Sequence, residues 1–138
     1  MGVYFFTQAV NEAEAAEEAG AVAALVSASE LDLPVFLDVE GSGSDNGRAD
    51  SLDTATRSAN IKTFCDTMTS LGYKAGVYAN KKWLTQKIDT SQISEYMVWL
   101  AQYNVQSPSY EGGYSIWQYT SKGSVNGING NVDMDLVK

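Results

Sequence analysis

Histidine is absent from the 138-residue sequence, and Cys65 is its single cysteine. Without histidine, the Ser-His-Asp and Cys-His arrangements and the usual zinc sites are excluded. One cysteine cannot close an internal disulfide. Acid–base chemistry therefore falls mainly to Asp, Glu, Lys or Tyr. Two prolines and 12 glycines exclude a collagen-like or proline-rich chain. No apolar run approaches the ~18 residues of a membrane span. The start, Met1-Gly2-Val3-Tyr4, lacks the basic region of a signal peptide.

Basic residues are also scarce. Nine Lys and Arg stand against 17 Asp and Glu, a net charge of −8. Through Asp53 there are 11 acidic residues and one basic, Arg48; beyond it there are six and eight. The acidic half reads as a solvated helix face. No Lys/Arg cluster with interleaved aromatics is present, so neither nucleic acid nor a membrane is expected as a partner. What the chain has is apolar and aromatic: 44% hydrophobic and 11% aromatic residues, enough for one domain with a real core.

Residues 2–8 read as a strand, from the run Val3-Tyr4-Phe5-Phe6. Asn11 offers an N-cap with Glu14 completing a capping box, and helical spacing of small apolar residues runs from Glu12 to about Glu30. Pro34 opens a second strand, PVFLDVE, whose nearly continuous apolar residues suit a strand covered on both faces. A Gly/Ser/Asp loop follows. A helix from about Asp53 to Leu71 comes next, with Cys65 expected as a buried small hydrophobe and Gly72 as its C′ residue. Strands are expected at 74–80, 97–103, 114–120 and 132–137, with a short helix around 81–86. The β/α alternation implies a parallel sheet of six strands. An eight-stranded α/β barrel normally needs about 200 residues or more.

Asp38-Val39-Glu40 is the first candidate for chemistry. On a strand, residues i and i+2 share a face, with Cα atoms roughly 6–7 Å apart. Two carboxyls so placed push one pKa up, which leaves an acid beside an anion, as glycosidases require. The alternative is that both cap the loop and face water. Aromatic and amide side chains at strand ends are the second candidate: Tyr4, Phe6, Tyr78, Trp99 with Gln102 and Tyr103, and Trp117 with Gln118. Flat apolar faces beside phenol, indole and amide groups suit sugars, although aromatics also fill cores. Phe5, Phe36 and Phe64 are read as core, and Trp83 as packing or rim. Asp133 and Asp135 on the last strand form a third same-face pair, or an exposed strand end. A calcium site through Asp45, Asn46 and Asp50 lacks EF-hand spacing, and no metal motif is present.

The stretches GVYFFTQAVNEAEAAEEA, LPVFLDVEG, LGYKAGVYAN, MVWLAQY and YSIWQYTSKGSVNGINGNVDMDLV, in this order, resemble glycoside hydrolase family 25, the lysozymes (muramidases) of bacteria and their phages. The resemblance spans nearly the whole chain. It implies a TIM-like α/β barrel of the (β/α)5(β)3 type. It implies hydrolysis of the β-1,4 bond between N-acetylmuramic acid and N-acetylglucosamine, with no cofactor. Glu40 matches the family's general acid, and Asp38 the partner carboxylate that orients or stabilises the substrate's 2-acetamido group. Asp133 matches the aspartate of the last strand. Asp135 stands where Asn is common. Tyr4, Tyr78, Trp99, Tyr103 and Gln118 fall on positions lining the family's sugar groove.

The family's opening strand, with a GIDVS-like segment, and the βα unit after it have no counterpart here. Residues 1–138 are therefore expected to form a single domain lacking the first two βα units. Six strands do not close an eight-strand barrel, so either the edges pair with a second copy, or the sheet closes into a smaller or distorted form, or the chain is a truncated product. The expected function is peptidoglycan hydrolysis at the cell wall, by a secreted or phage-released protein. The alternative is a non-catalytic carbohydrate-binding remnant holding glycan strands through its aromatics.

Overall fold

A computed structural model describes residues 1–138. Six strands form one sheet in chain order: β1 (Val3–Phe6), β2 (Val35–Asp38), β3 (Ala75–Asn80), β4 (Met97–Ala101), β5 (Ile116–Gly123) and β6 (Val132–Val137). The first five run parallel and β6 runs antiparallel to β5. The expected α/β order is thus present. The sheet stays open, with β1 and β6 as its two edges, so closure into a smaller barrel does not occur.

Helices α1 (Glu12–Leu25), α2 (Thr54–Ser70) and the short α3 (Lys81–Gln86) link the first strands. Asn11 caps α1 by accepting the Glu14 amide at 2.9 Å. The Glu14 carboxylate reaches back to the amide of Val10 rather than of Asn11, and also pairs with Arg48 at 2.9 Å. The helix ends at Leu25, short of the expected Glu30. Val26 turns extended, and Ser27 with Glu30 starts a separate 3-10 turn. Asp53 caps α2, and Gly72, at φ +92°, takes the left-handed position past its end. β4 stops at Ala101, two residues early, while β5 runs on to Gly123 through two irregularities against β6. No helix is long and apolar enough to cross a membrane.

One sheet face packs on the helices. Leu37, Val77 and Leu100 point from neighbouring strands into Ile61, Phe64, Cys65 and Met68 of α2, all essentially buried. Cys65 behaves as the expected hydrophobe, and burial pushes its thiol up to about 12. The opposite face carries the alternate residues. The pairings Phe6–Asp38–Tyr78–Trp99 and Ala101–Gln118–Asp135 run straight across the sheet on that side. β2 is buried on both faces, which explains its unbroken apolar sequence.

Phe36 lies on the open face, edge-on to Trp99 at 5.3 Å between ring centres. It fits there because its neighbour on β3 is Gly76. A Cβ at Gly76 would come within 2.5 Å of the Phe36 ring and 2.9 Å of the Met97 carbonyl oxygen. Gly76→Ala is therefore expected to cost ~1–3 kcal/mol of stability by overpacking, read from urea melts. A variant as stable as the parent would show that Phe36 is free to move.

Candidate active site

β2 delivers the carboxylates. Beyond its last paired residue the strand geometry persists: Thr7 donates to the Asp38 carbonyl at 3.1 Å, and Val39 to the Tyr78 carbonyl at 2.9 Å. Val39 therefore enters the core, and Asp38 and Glu40 share the open face. Asp38 is 7% exposed, and its Oδ1 has no hydrogen-bond partner. Burial, and then the Glu40 charge, push the Asp38 carboxyl up to about 7. Glu40 is exposed at the strand's end, yet it too is raised, first by desolvation and also by the charge of Asp133 across the cleft. The alternative of two water-facing capping groups is thus removed for Asp38.

Tyr4, Asp38, Glu40, Tyr78, Trp99, Gln118 and Asp133 line one cleft of about 150 Å³. Its wall is a hydrogen-bonded array. Gln118, 3% exposed, accepts at Oε1 from the phenol of Tyr78 at 2.7 Å and also from the phenol of Tyr103. Burial raises the pKa of both phenols, so they remain donors. Trp99 stands edge-on to Tyr78 at 4.7 Å, and its indole N–H donates to Asp135 Oδ1 at 2.7 Å. Burial raises Asp135, with its bond to Trp99 acting in opposition and Asp133 adding to the rise. Asp135 therefore fixes the indole, while Asp133 reaches the cleft itself.

Three expected binding residues lie elsewhere. Trp117 follows Leu100 in register and so sits on the helix-side face; its indole donates to the Gln102 carbonyl at 2.8 Å. The Gln102 amide is tied to Ser109 through both its nitrogen and its oxygen, which closes the loop after β4. Phe6 shares the open face in register with Asp38, but it is not among the cleft-lining side chains. Asp50, considered for calcium, accepts instead from the amide and hydroxyl of Ser42. No group of three or more acidic, Cys or His side chains is arranged to hold a metal ion.

A buried arginine behind Glu40 had no sequence signal beyond its place on an amphipathic helix. Arg57, 4% exposed, donates to the carbonyls of Lys87, Ala49 and Asp50 and lies 4.8 Å from the Trp83 ring centre. Trp83 in turn lies against Gly41, the residue after Glu40. Arg57 and Trp83 thus pin the loop that leaves Glu40.

The family model for glycosyl hydrolases family 25 matches residues 1–128. The chain belongs to that family. An autolytic lysozyme from Clostridium acetobutylicum is 32% identical over 78 residues, 56% of this chain and 24% of the relative. The modular autolysin LytC from Streptococcus pneumoniae, solved with a synthetic peptidoglycan ligand, is 30% identical with a TM-score of 0.77, over 96% of this chain and 32% of that one. The spore cortex lytic enzyme SleM from Clostridium perfringens shares the fold at a TM-score of 0.82 and 20% identity, over 99% of this chain and 49% of that one. The chain spans less than half the length of each of these relatives.

The folded state holds the Asp38 proton more tightly than the unfolded chain, so this group's contribution to stability is full below about pH 4 and is lost as pH rises toward 7. Asp38→Asn is accordingly expected to raise the melting temperature at pH 8, by the equivalent of roughly 1–3 kcal/mol, and to leave it unchanged at pH 4. A variant no more stable than the parent at pH 8 would contradict this. Arg57→Ala is expected to destabilise the fold and to speed proteolytic cleavage within residues 41–53; unchanged cleavage would mean the loop is held by other contacts.

Proposed function

We propose that this chain hydrolyses peptidoglycan at the cell wall by cutting the β-1,4 bond between N-acetylmuramic acid and N-acetylglucosamine. One observation carries the reading. Two carboxyls on consecutive same-face positions of β2 are both raised, with one of them buried and lacking a full set of hydrogen bonds. Such a pair keeps a proton into the neutral range, and one member can act as acid while the other remains an anion.

Glu40 is the acid, since it stands at the solvent end of the pair where a glycosidic oxygen can approach. A sugar covering Glu40 removes the water that favours its charged form, and the shared proton moves toward it. Glu40 then protonates the leaving oxygen as the glycosidic bond breaks. Asp38 accepts from the 2-acetamido N–H, which orients the carbonyl oxygen of that group toward the anomeric carbon and balances the positive charge that develops. The acetamido oxygen bonds to the anomeric carbon as the leaving oxygen departs; Glu40, now an anion, then takes a proton from water, whose oxygen bonds to that carbon and releases the acetamido oxygen. Asp133 supplies further negative potential across the cleft. Trp99, Tyr4 and Tyr78 offer ring faces and a phenol to the sugar.

The test is mass spectrometry of digested peptidoglycan for new reducing-end N-acetylmuramic acid. The native chain is expected to release it, and Glu40→Gln to be slower by ~10²–10⁴-fold, the usual worth of a positioned acid. The rate is expected to fall as pH rises through about 7, where the Asp38–Glu40 pair loses its proton. A folded chain that binds glycan without product would instead be a carbohydrate-binding module.

A further inference from the structure

A second cleft opens at the other end of the sheet. The carboxylates stand where β2 ends, whereas this cleft lies where β4 and β5 begin, at Met97, Val98 and Ser115. Its volume is about 600 Å³, against about 150 Å³ for the carboxylate cleft. That lies within the ~300–1,000 Å³ usual for small-ligand sites. Three tyrosines line it: Tyr96, Tyr110 and Tyr114. Thr90, Ser91, Ser94 and Ser115 add hydroxyl-bearing side chains to its lining. No Asp, Glu, Lys or Arg lines the cleft, in a chain that carries 17 acidic and nine basic residues.

The tyrosines are held in place. The Tyr96 phenol donates to Asp66 of α2. Tyr110 packs on the core. A Cβ at Gly112 would sit 2.2 Å from the Tyr110 phenol oxygen, so glycine is what lets that phenol lie across the backbone. The Lys138 ammonium lies 4.2 Å from the Tyr114 ring centre and occupies one face of that ring. Past Tyr110 the groove continues toward Lys81, Asp89 and Glu111, where charge returns.

We propose that this cleft is a second glycan site, which takes a neutral amino-sugar strand at a distance from the carboxylates. The choice of sugar class rests on the hydrolase reading; the choice of a neutral polyol rests on the cleft. A pyranose presents apolar C–H faces and a rim of hydroxyls, which match tyrosine rings and serine or threonine hydroxyls. An anionic ligand would meet a net charge of −8, and the one ammonium at the cleft, Lys138, is already seated on the Tyr114 ring. A strand held here raises the effective concentration of neighbouring strands at the carboxylate cleft.

The experiment is an NMR titration with chitotetraose, a neutral β-1,4 amino-sugar tetramer, with turnover on peptidoglycan measured separately. Saturable shifts are expected at residues 94–96 and 112–115, and the same shifts in Glu40→Gln. Tyr110→Ala is expected to weaken them ~10-fold, the scale of losing one stacked ring with its buried area. Gly113→Glu gives a variant that spares the core: its backbone is not left-handed, nothing lies within 4 Å of the added Cβ, and the added carboxylate stands on a residue that lines the cleft. It is expected to abolish the shifts without changing the melting temperature. Shifts confined to the Asp38–Gln118 cleft, no shifts at all, or shifts indifferent to both variants would overturn the proposal. Turnover with a silent tyrosine cleft would overturn it and leave the hydrolase reading standing; tyrosine-cleft binding without turnover would do the reverse.

Discussion

A carboxyl group buried at the end of an apolar strand is the constraint on which the site depends. β2 is covered by α2 on one face and by aromatic side chains on the other, so Asp38 meets little water. A buried charge is costly unless it is paired or protonated. Asp38 has no cation beside it; it has Glu40, a second acid. The electrostatic response is to keep a proton. That proton makes the pair useful, and its retention follows from the same packing that holds the sheet together. The core and the chemistry are therefore two consequences of one strand.

The wall opposite the carboxyls is built for direction rather than for stability alone. Gln118 is buried and accepts from two phenols at once, so Tyr78 and Tyr103 are held by one oxygen. Asp135 holds the indole of Trp99. The Tyr78–Gln118 and Trp99–Asp135 links each reach over one intervening strand, from β3 to β5 and from β4 to β6, and the sheet register brings these side chains to one face. Behind Glu40, Arg57 and Trp83 fix the outgoing loop. Glu40 thus stands between a rigid strand and a pinned loop.

Much of this arrangement was legible in the chain. Continuous hydrophobicity marked β2 as doubly covered, and the i, i+2 spacing placed Asp38 and Glu40 on one face. Asn11 and Asp53 were readable as caps because their side chains compete locally for backbone amides. Period-2 alternation cuts the other way for Trp117-Gln118: only one parity reaches the cleft, and composition alone did not say which. Gln102 was invisible as a loop tie, because its partner Ser109 lies across an irregular segment. α1 ends early at Leu25: helical spacing continues in sequence, but the backbone turns extended at Val26. Arg57 gave no signal, since its hydrogen-bond partners are backbone carbonyls, which carry no side-chain identity.

The measurement that tests the account most directly is a carbon-13 NMR titration of the side-chain carboxyls of Asp38 and Glu40. Asp38 is expected to titrate near 7 and Glu40 above its ordinary range. Glu40→Gln is expected to lower the Asp38 midpoint without restoring it to an ordinary value, because burial is the larger cause and the like charge the smaller. Two independent titrations near pH 4 would contradict this: Asp38 would then be hydrated, and the pair would hold no proton at the pH where the reaction is proposed to run.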